Sequence, residues 1–205
     1  MAAREAVVRR RRRTPEAAQR EIVEAAEALL RERPFRELTV DEVMRRTGLS
    51  RPSFYVYFKD RHELVLRVVQ HVGGELQSMS SSWYAAEAPG PELIREALEG
   101  GVVVWGRHGA ILRALADAAS DDPDLEQAYE GLMQAFIDAT AAQIEREMEK
   151  GNIDRLDARE TAKAIVWMCE RYLYHAFGPD NSVPIPTVVE TLTTVITRVL
   201  YGARS

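Results

Sequence analysis

The chain of 205 residues has a single cysteine, Cys169, so no internal disulfide framework is available, and a reducing cytoplasm is the expected location. Its longest apolar runs, such as "GGVVVW" and "AIVWM", are far too short to span a bilayer. The N-terminus is rich in arginine but lacks the apolar stretch of a secretory signal. No G-x-S-x-G, G-x-x-x-x-G-K-[ST], H-E-x-x-H or C-x-x-C motif occurs. The four histidines (His62, His71, His108 and His175) are scattered, and the nine-residue step from His62 to His71 does not bring them together on one helix face. The chemistry-bearing residues thus give no reason to expect an enzyme, a metal centre or a cofactor.

What is present is a charge asymmetry. The net charge is −5. Residues 1–72 hold 16 Lys and Arg against 11 Asp and Glu, a balance of +5, and the remainder holds 11 against 21, a balance of −10. The first third is the part suited to a polyanion. Five arginines at 9–13 account for all of that excess, so charge alone is weak evidence.

Helical periodicity recurs throughout, and no segment shows strand alternation. Thr14 reads as an N-cap and Pro15 as the first helical position of a helix whose Ile22, Ala26, Leu29 and Leu30 share a face. Thr39 and Glu42 have capping-box spacing ahead of "VDEVMRRT", which Gly48 ends. Ser50 caps "RPSFYVYF", and Asp60 caps a long helix running to about Trp83. Pro91 opens a further helix with a break expected at "RHG", 107–109, followed by "AILRALADAA", a helix over about 124–149, one from Asp157 to Gly178, and a last one over about 187–201. "AAEAPGP" and "PDNSVPIP" read as loops. The expectation is an all-α chain of nine helices.

Two short helices around Gly48 form a helix-turn-helix, a unit that lays its second helix in the DNA major groove. Ser50 and Ser53 offer small hydroxyls, Arg51 suits a guanine edge, and Pro52 can press on a thymine methyl. Tyr55, Tyr57, Lys59 and Arg61 can reach phosphates, and Thr39 adds a helix N-terminus. Phe54 and Phe58 read as core anchors.

The stretch "LTVDEVMRRTGLSRPSFYVYFKDRHEL" resembles the N-terminal domain of TetR-family transcriptional repressors. The likeness implies a TetR-like fold with a flexible basic arm at 1–14, a helix-turn-helix domain at 15–62, and a ligand-binding and dimerisation domain at 63–205. It places Thr39, Arg51, Pro52, Ser53, Tyr55, Tyr57 and Arg61 at DNA-facing positions. Met44 stands where Ala is usual, and Asp41 where some members carry an Arg. "LMQAFIDATAAQIE", "MCERYLYHAF" and "VLYG" are similar to the EthR-type branch.

The second domain carries aromatics and methionines at helical spacing, as a packed core would. Gly100, Gly101 and Gly106 lie among them in a helix, where each costs about 1 kcal/mol relative to Ala. Small residues facing large ones leave room for an apolar ligand, with Thr140 and Cys169 as polar contacts. The EthR-type likeness implies a hydrophobic tunnel at Ile94, Gly101, Trp105, Tyr129, Met133, Phe136, Thr140, Val166, Cys169, Tyr174 and Ile196. A one-residue slip would substitute Trp167 for Val166 and Cys169. A palindromic operator needs two reading heads about 34–36 Å apart, or a multiple of that, hence a homodimer. Its expected seam is the last two helices, with Val188, Leu192, Val195, Ile196 and Val199 along it. The implied function is a repressor on a double-stranded DNA operator, released by an apolar small molecule; an activator or an architectural DNA binder is the alternative.

Overall fold

Side-chain caps set the helix starts. In the computed structural model, which describes residues 14–85, 90–120, 122–178 and 183–202, the Thr14 hydroxyl accepts from the Ala17 amide and opens α1, Pro15–Glu32. A 3-10 turn at Phe35–Glu37 follows. The Thr39 hydroxyl accepts from the Glu42 amide at 3.3 Å at the start of α2, Val40–Thr47. Gly48 ends α2 at φ 64°, in the left-handed region where a side chain is disfavoured. A short α3, Arg51–Phe54, continues as turns through Tyr57. Asp60 Oδ1 accepts from the amides of His62 and Glu63 and opens α4, Arg61–Ala85, while Glu63 returns the bond to the Lys59 amide. Then come α5, Pro91–Ala119; α6, Pro123–Glu149, capped by Asp122; α7, Ala158–Ala176, capped by Asp157; and α8, Ile185–Tyr201.

The elements are all helical among the described residues, as expected, but α-helices number eight rather than nine. The break expected at 107–109 does not occur. Gly109 stays helical within α5 and leaves space for Phe177, whose Cβ would lie 3.2 Å from a methyl at that position. Arg113 then donates to the Phe177 carbonyl at 2.7 Å and ties down the end of α7. The basic arm, apart from Thr14, lies outside the described residues, as do most of the two expected loops.

One apolar core runs from Ile22 and Phe54 through Leu64, Val68 and Val72 to Trp105, Leu115, Leu125 and Leu192. A second cluster gathers Trp83, Ile94, Ile137, Ile144, Ile165 and Ile196. Helix α4 contributes to both, so it joins the helix-turn-helix to the larger helical body. The division expected between residues 62 and 63 falls within its first turn.

Two neighbouring glycines of α5 differ in their surroundings. A methyl on Gly100 would meet Met79 Cβ at 2.8 Å, and one on Gly101 meets nothing within 4 Å. Gly101→Ala is therefore expected to stabilise the fold by about 1 kcal/mol, or roughly 2–4 °C in melting temperature. Gly100→Ala should lower the melting temperature despite the same gain in helix propensity. Calorimetry of the two variants checks the pair.

Candidate functional sites at the recognition helix and the interior cavity

Helix α3 stands at the surface, with Phe54 and Phe58 anchoring it in the core beneath. Its outward residues are Arg51, Pro52 and Tyr55, with Ser53 half-buried. The Ser50 and Ser53 hydroxyls hydrogen-bond to each other at 2.8 Å. Ser50 thus occupies the cap position without capping an amide through its side chain, contrary to the sequence expectation. Arg51 donates to Asp41 Oδ2 at 3.2 Å and to the Tyr55 hydroxyl at 3.4 Å. Asp41, on α2, therefore orients the arginine instead of offering a cation of its own.

Two further residues sit differently from expectation. Arg61 donates to the carbonyls of Arg36 (3.2 Å) and Leu38 (3.0 Å), and its guanidinium lies 5.0 Å over the Phe35 ring. That guanidinium fastens the 3-10 turn to the start of α4 and is not held out toward a phosphate. The Thr39 hydroxyl also donates to Glu42 Oε2 at 2.8 Å, so α2 offers its backbone N-terminus more readily than that hydroxyl. Tyr57 is half-buried against the core, and Lys59 is exposed. Val56, 75% exposed beside Tyr55, was not foreseen; an apolar residue between two tyrosines gave no periodic signal.

The second site is an interior cavity of about 170 Å³. Ile94, Gly101, Trp105, Tyr129, Met133, Phe136, Thr140, Val166, Cys169 and Ile196 line it. Trp167 and Tyr174 do not. Each follows an inward-facing neighbour by one residue, about 100° around the helix, and is turned away. Trp167 is 39% exposed and packs edge-on against Tyr129, at 5.8 Å between ring centroids. Tyr174 donates its hydroxyl to Asp117 at 2.6 Å on the far side of α5. Helix α4 supplies Leu76, Ser80, Trp83 and Tyr84, which the sequence reading missed because α4 reads as an ordinary amphipathic rod.

Polar groups in this lining are few. The Tyr84 and Thr140 hydroxyls are 3.5 Å apart, and burial raises Tyr84 above the usual phenol range. Burial pushes the Cys169 thiol up to about 12, which keeps it neutral and unreactive at ordinary pH. Glu170 also lines the cavity, a carboxylate adjacent in sequence to Arg171, with which it can form an ion pair. That pair exists at 3.5 Å, with Arg171 largely solvated.

Contacts between the head and the body converge at three points. His62 Nε2 lies 2.6 Å from Asp122 Oδ2, joining the starts of α4 and α6. Arg31 of α1 donates to the Arg107 carbonyl of α5 at 3.1 Å. Buried His108 of α5 sits between Glu27 of α1, at 3.6 Å, and Glu75 of α4, at 3.3 Å.

Residues 22–68 match the family described as bacterial regulatory proteins, tetR family, and residues 94–202 match that described as transcriptional regulator EthR, C-terminal domain. The chain belongs to the TetR family of transcriptional regulators, of the EthR type. It is 33% identical over 187 residues to the HTH-type transcriptional regulator EthR of Mycobacterium tuberculosis, covering 88% of this chain and 86% of that protein. The EthR of Mycolicibacterium smegmatis is 31% identical, with 88% and 85% covered. A TetR-like transcriptional regulator from Rhodococcus sp. RHA1 has the same fold, with a TM-score of 0.73 at 20% identity, covering 92% of this chain and 98% of that one. These relatives are regulators, not enzymes, and among the described residues no helix is long and apolar enough to cross a membrane.

The two arginines are expected to separate reading from folding. Arg51→Ala should weaken binding to a specific site by about 1–3 kcal/mol and relax base preference there, without a change in melting temperature. Arg61→Ala should lower the melting temperature by a few degrees, since two backbone carbonyls lose their donor. Fluorescence anisotropy and thermal denaturation of both variants provide the measurement.

Proposed function

We propose that this chain is a homodimeric repressor that occupies a palindromic operator and leaves it when an apolar small molecule fills the interior cavity. The supporting observation is the position of α4. Its first turn is fastened to the head by Arg61, which donates to the Arg36 and Leu38 carbonyls, and by Glu63, which accepts from the Lys59 amide, and its last turns, Leu76 to Tyr84, form a wall of the cavity. At 1.5 Å per residue its 25 residues span roughly 37 Å. A small tilt at the cavity end is therefore carried to the recognition helix. An effector acts here only through its preference for one α4 position over another, typically worth about 1–3 kcal/mol. The reading takes Ser50, Arg51, Pro52, Ser53, Tyr55 and Val56 as the groove-facing set, with Lys59 and the start of α2 on phosphates.

The seam of the dimer differs from the sequence expectation. Val188, Leu192 and Ile196 are buried within the chain, where α8 packs on α5 and the second cluster, and cannot also face a partner. Val195 and Val199 of α8 remain outward, together with Trp167 of α7. We place the seam on this face, where α7 and α8 of one copy meet those of the other in a four-helix arrangement.

Two outcomes are expected. Val195→Glu combined with Val199→Glu should give the mass of one chain by light scattering at micromolar concentration, where the parent gives two. A footprint on the DNA upstream of the chain's own gene should show a protected palindrome whose protection fades on adding cell lipid extract. Protection indifferent to every apolar compound would leave a DNA binder without effector control.

A further inference from the structure

We propose that the ligand for this cavity is an amphiphilic amine, with an apolar body and a protonated amino group that pairs with Glu170. The inference deepens the effector reading above and rests on it. Glu170 is 5% exposed, and neither of its carboxylate oxygens accepts a well-formed hydrogen bond. Among the described residues lining the cavity it is the only acid. Arg171 approaches Oε2 at 3.5 Å, but its side chain is 55% exposed and its guanidinium lies 4.7 Å over the Tyr174 ring. The Tyr129 hydroxyl, also on the cavity wall, is buried and stands beside Glu170. Burial, and next its hydrogen-bonding interaction with Glu170, drives Tyr129 well above the usual phenol range. It therefore stays a neutral donor and adds no negative charge.

A carboxylate withdrawn from water is unfavourable unless it is paired and hydrogen-bonded. Here the protein supplies half of a pair inside an otherwise apolar chamber. An ammonium group brings the missing donors and the opposite charge, and its apolar remainder fits against Trp105, Met133 and Phe136. A fatty acid, by contrast, would place a second carboxylate beside the first, where like charges repel. A hydrocarbon would fill the space and leave Glu170 as it is.

The test is isothermal titration of the full-length protein with 4-phenylbutylamine, 4-phenylbutanol, butylbenzene and 4-phenylbutyrate. The amine is expected to bind at least tenfold more tightly than the alcohol, and the acid least of all. Glu170→Gln should remove at least tenfold of the amine preference and leave butylbenzene unchanged, while Glu170→Asp should keep the preference. Equal affinity of alcohol and amine in the parent chain overturns the inference but leaves the cavity as an effector site. Absence of heat from all four compounds overturns both the inference and the effector reading. Should Glu170→Gln fail to fold, the four-compound ranking in the parent chain decides by itself.

Discussion

The continuity of α4 is the constraint on which the rest depends. Its N-terminal cap is a side-chain carboxylate, Asp60, that accepts two amides and thereby satisfies donors a helix start would otherwise leave open. From that root the helix contributes to both apolar clusters. Val68 and Val72 belong to the cluster shared with α1 and the head, and Trp83 belongs to the second. The proposed effector mechanism requires it to move as one rod, which a break anywhere along it would prevent. Gly73 and Gly74 lie at its middle and remain helical; at Gly73 a methyl would come within 2.8 Å of Leu132 on α6. There the glycine permits close approach of two helices, and its weak helix propensity is tolerated because packing decides the outcome.

The cavity is lined almost wholly by apolar side chains. The aromatic side chains around it are large enough to close it, yet Gly101 faces it with no side chain, and Tyr129 is held by Trp167 from outside. A chain selected for stability alone would be better served by a larger residue at 101. The glycine at 101 leaves room for the ligand of the proposed effector reading, whose binding would add stability by mass action.

Much of this was legible in the sequence because helix ends carry their chemistry locally. Thr14, Thr39, Asp60, Asp122 and Asp157 all cap, and Gly48 takes the left-handed conformation, each as its residue type predicts. Ten of the residues expected at a tunnel do surround one space, since an inward face recurs every three or four positions. What was illegible depends on partners distant in sequence. Gly109 looks like a helix end until Phe177, 68 residues later, is seen against it. Arg61 looks like a phosphate ligand until the carbonyls of Arg36 and Leu38 claim it. On α8 the stripe of Val188, Leu192 and Ile196 is apolar for the sake of the chain's own core, and periodicity cannot distinguish that from an interface.

The same limit applies to charge. Glu170 and Arg171 are adjacent in sequence and read as a simple pair, but on a helix adjacent residues point about 100° apart. One is turned to the cavity and the other to solvent. The pair is therefore lopsided, with a desolvated acid and a hydrated base that meet at 3.5 Å. Hydration of Arg171 weakens its hold on the carboxylate, so the acid keeps unused capacity on the inner side. Val166 and the neutral thiol of Cys169 lie in the same lining, and neither can satisfy that capacity well. The polarity of the chamber is thus concentrated in one carboxyl group beside Tyr129, and the ligand proposed for it is selected by the charge of its head more than by a pattern of neutral hydrogen bonds.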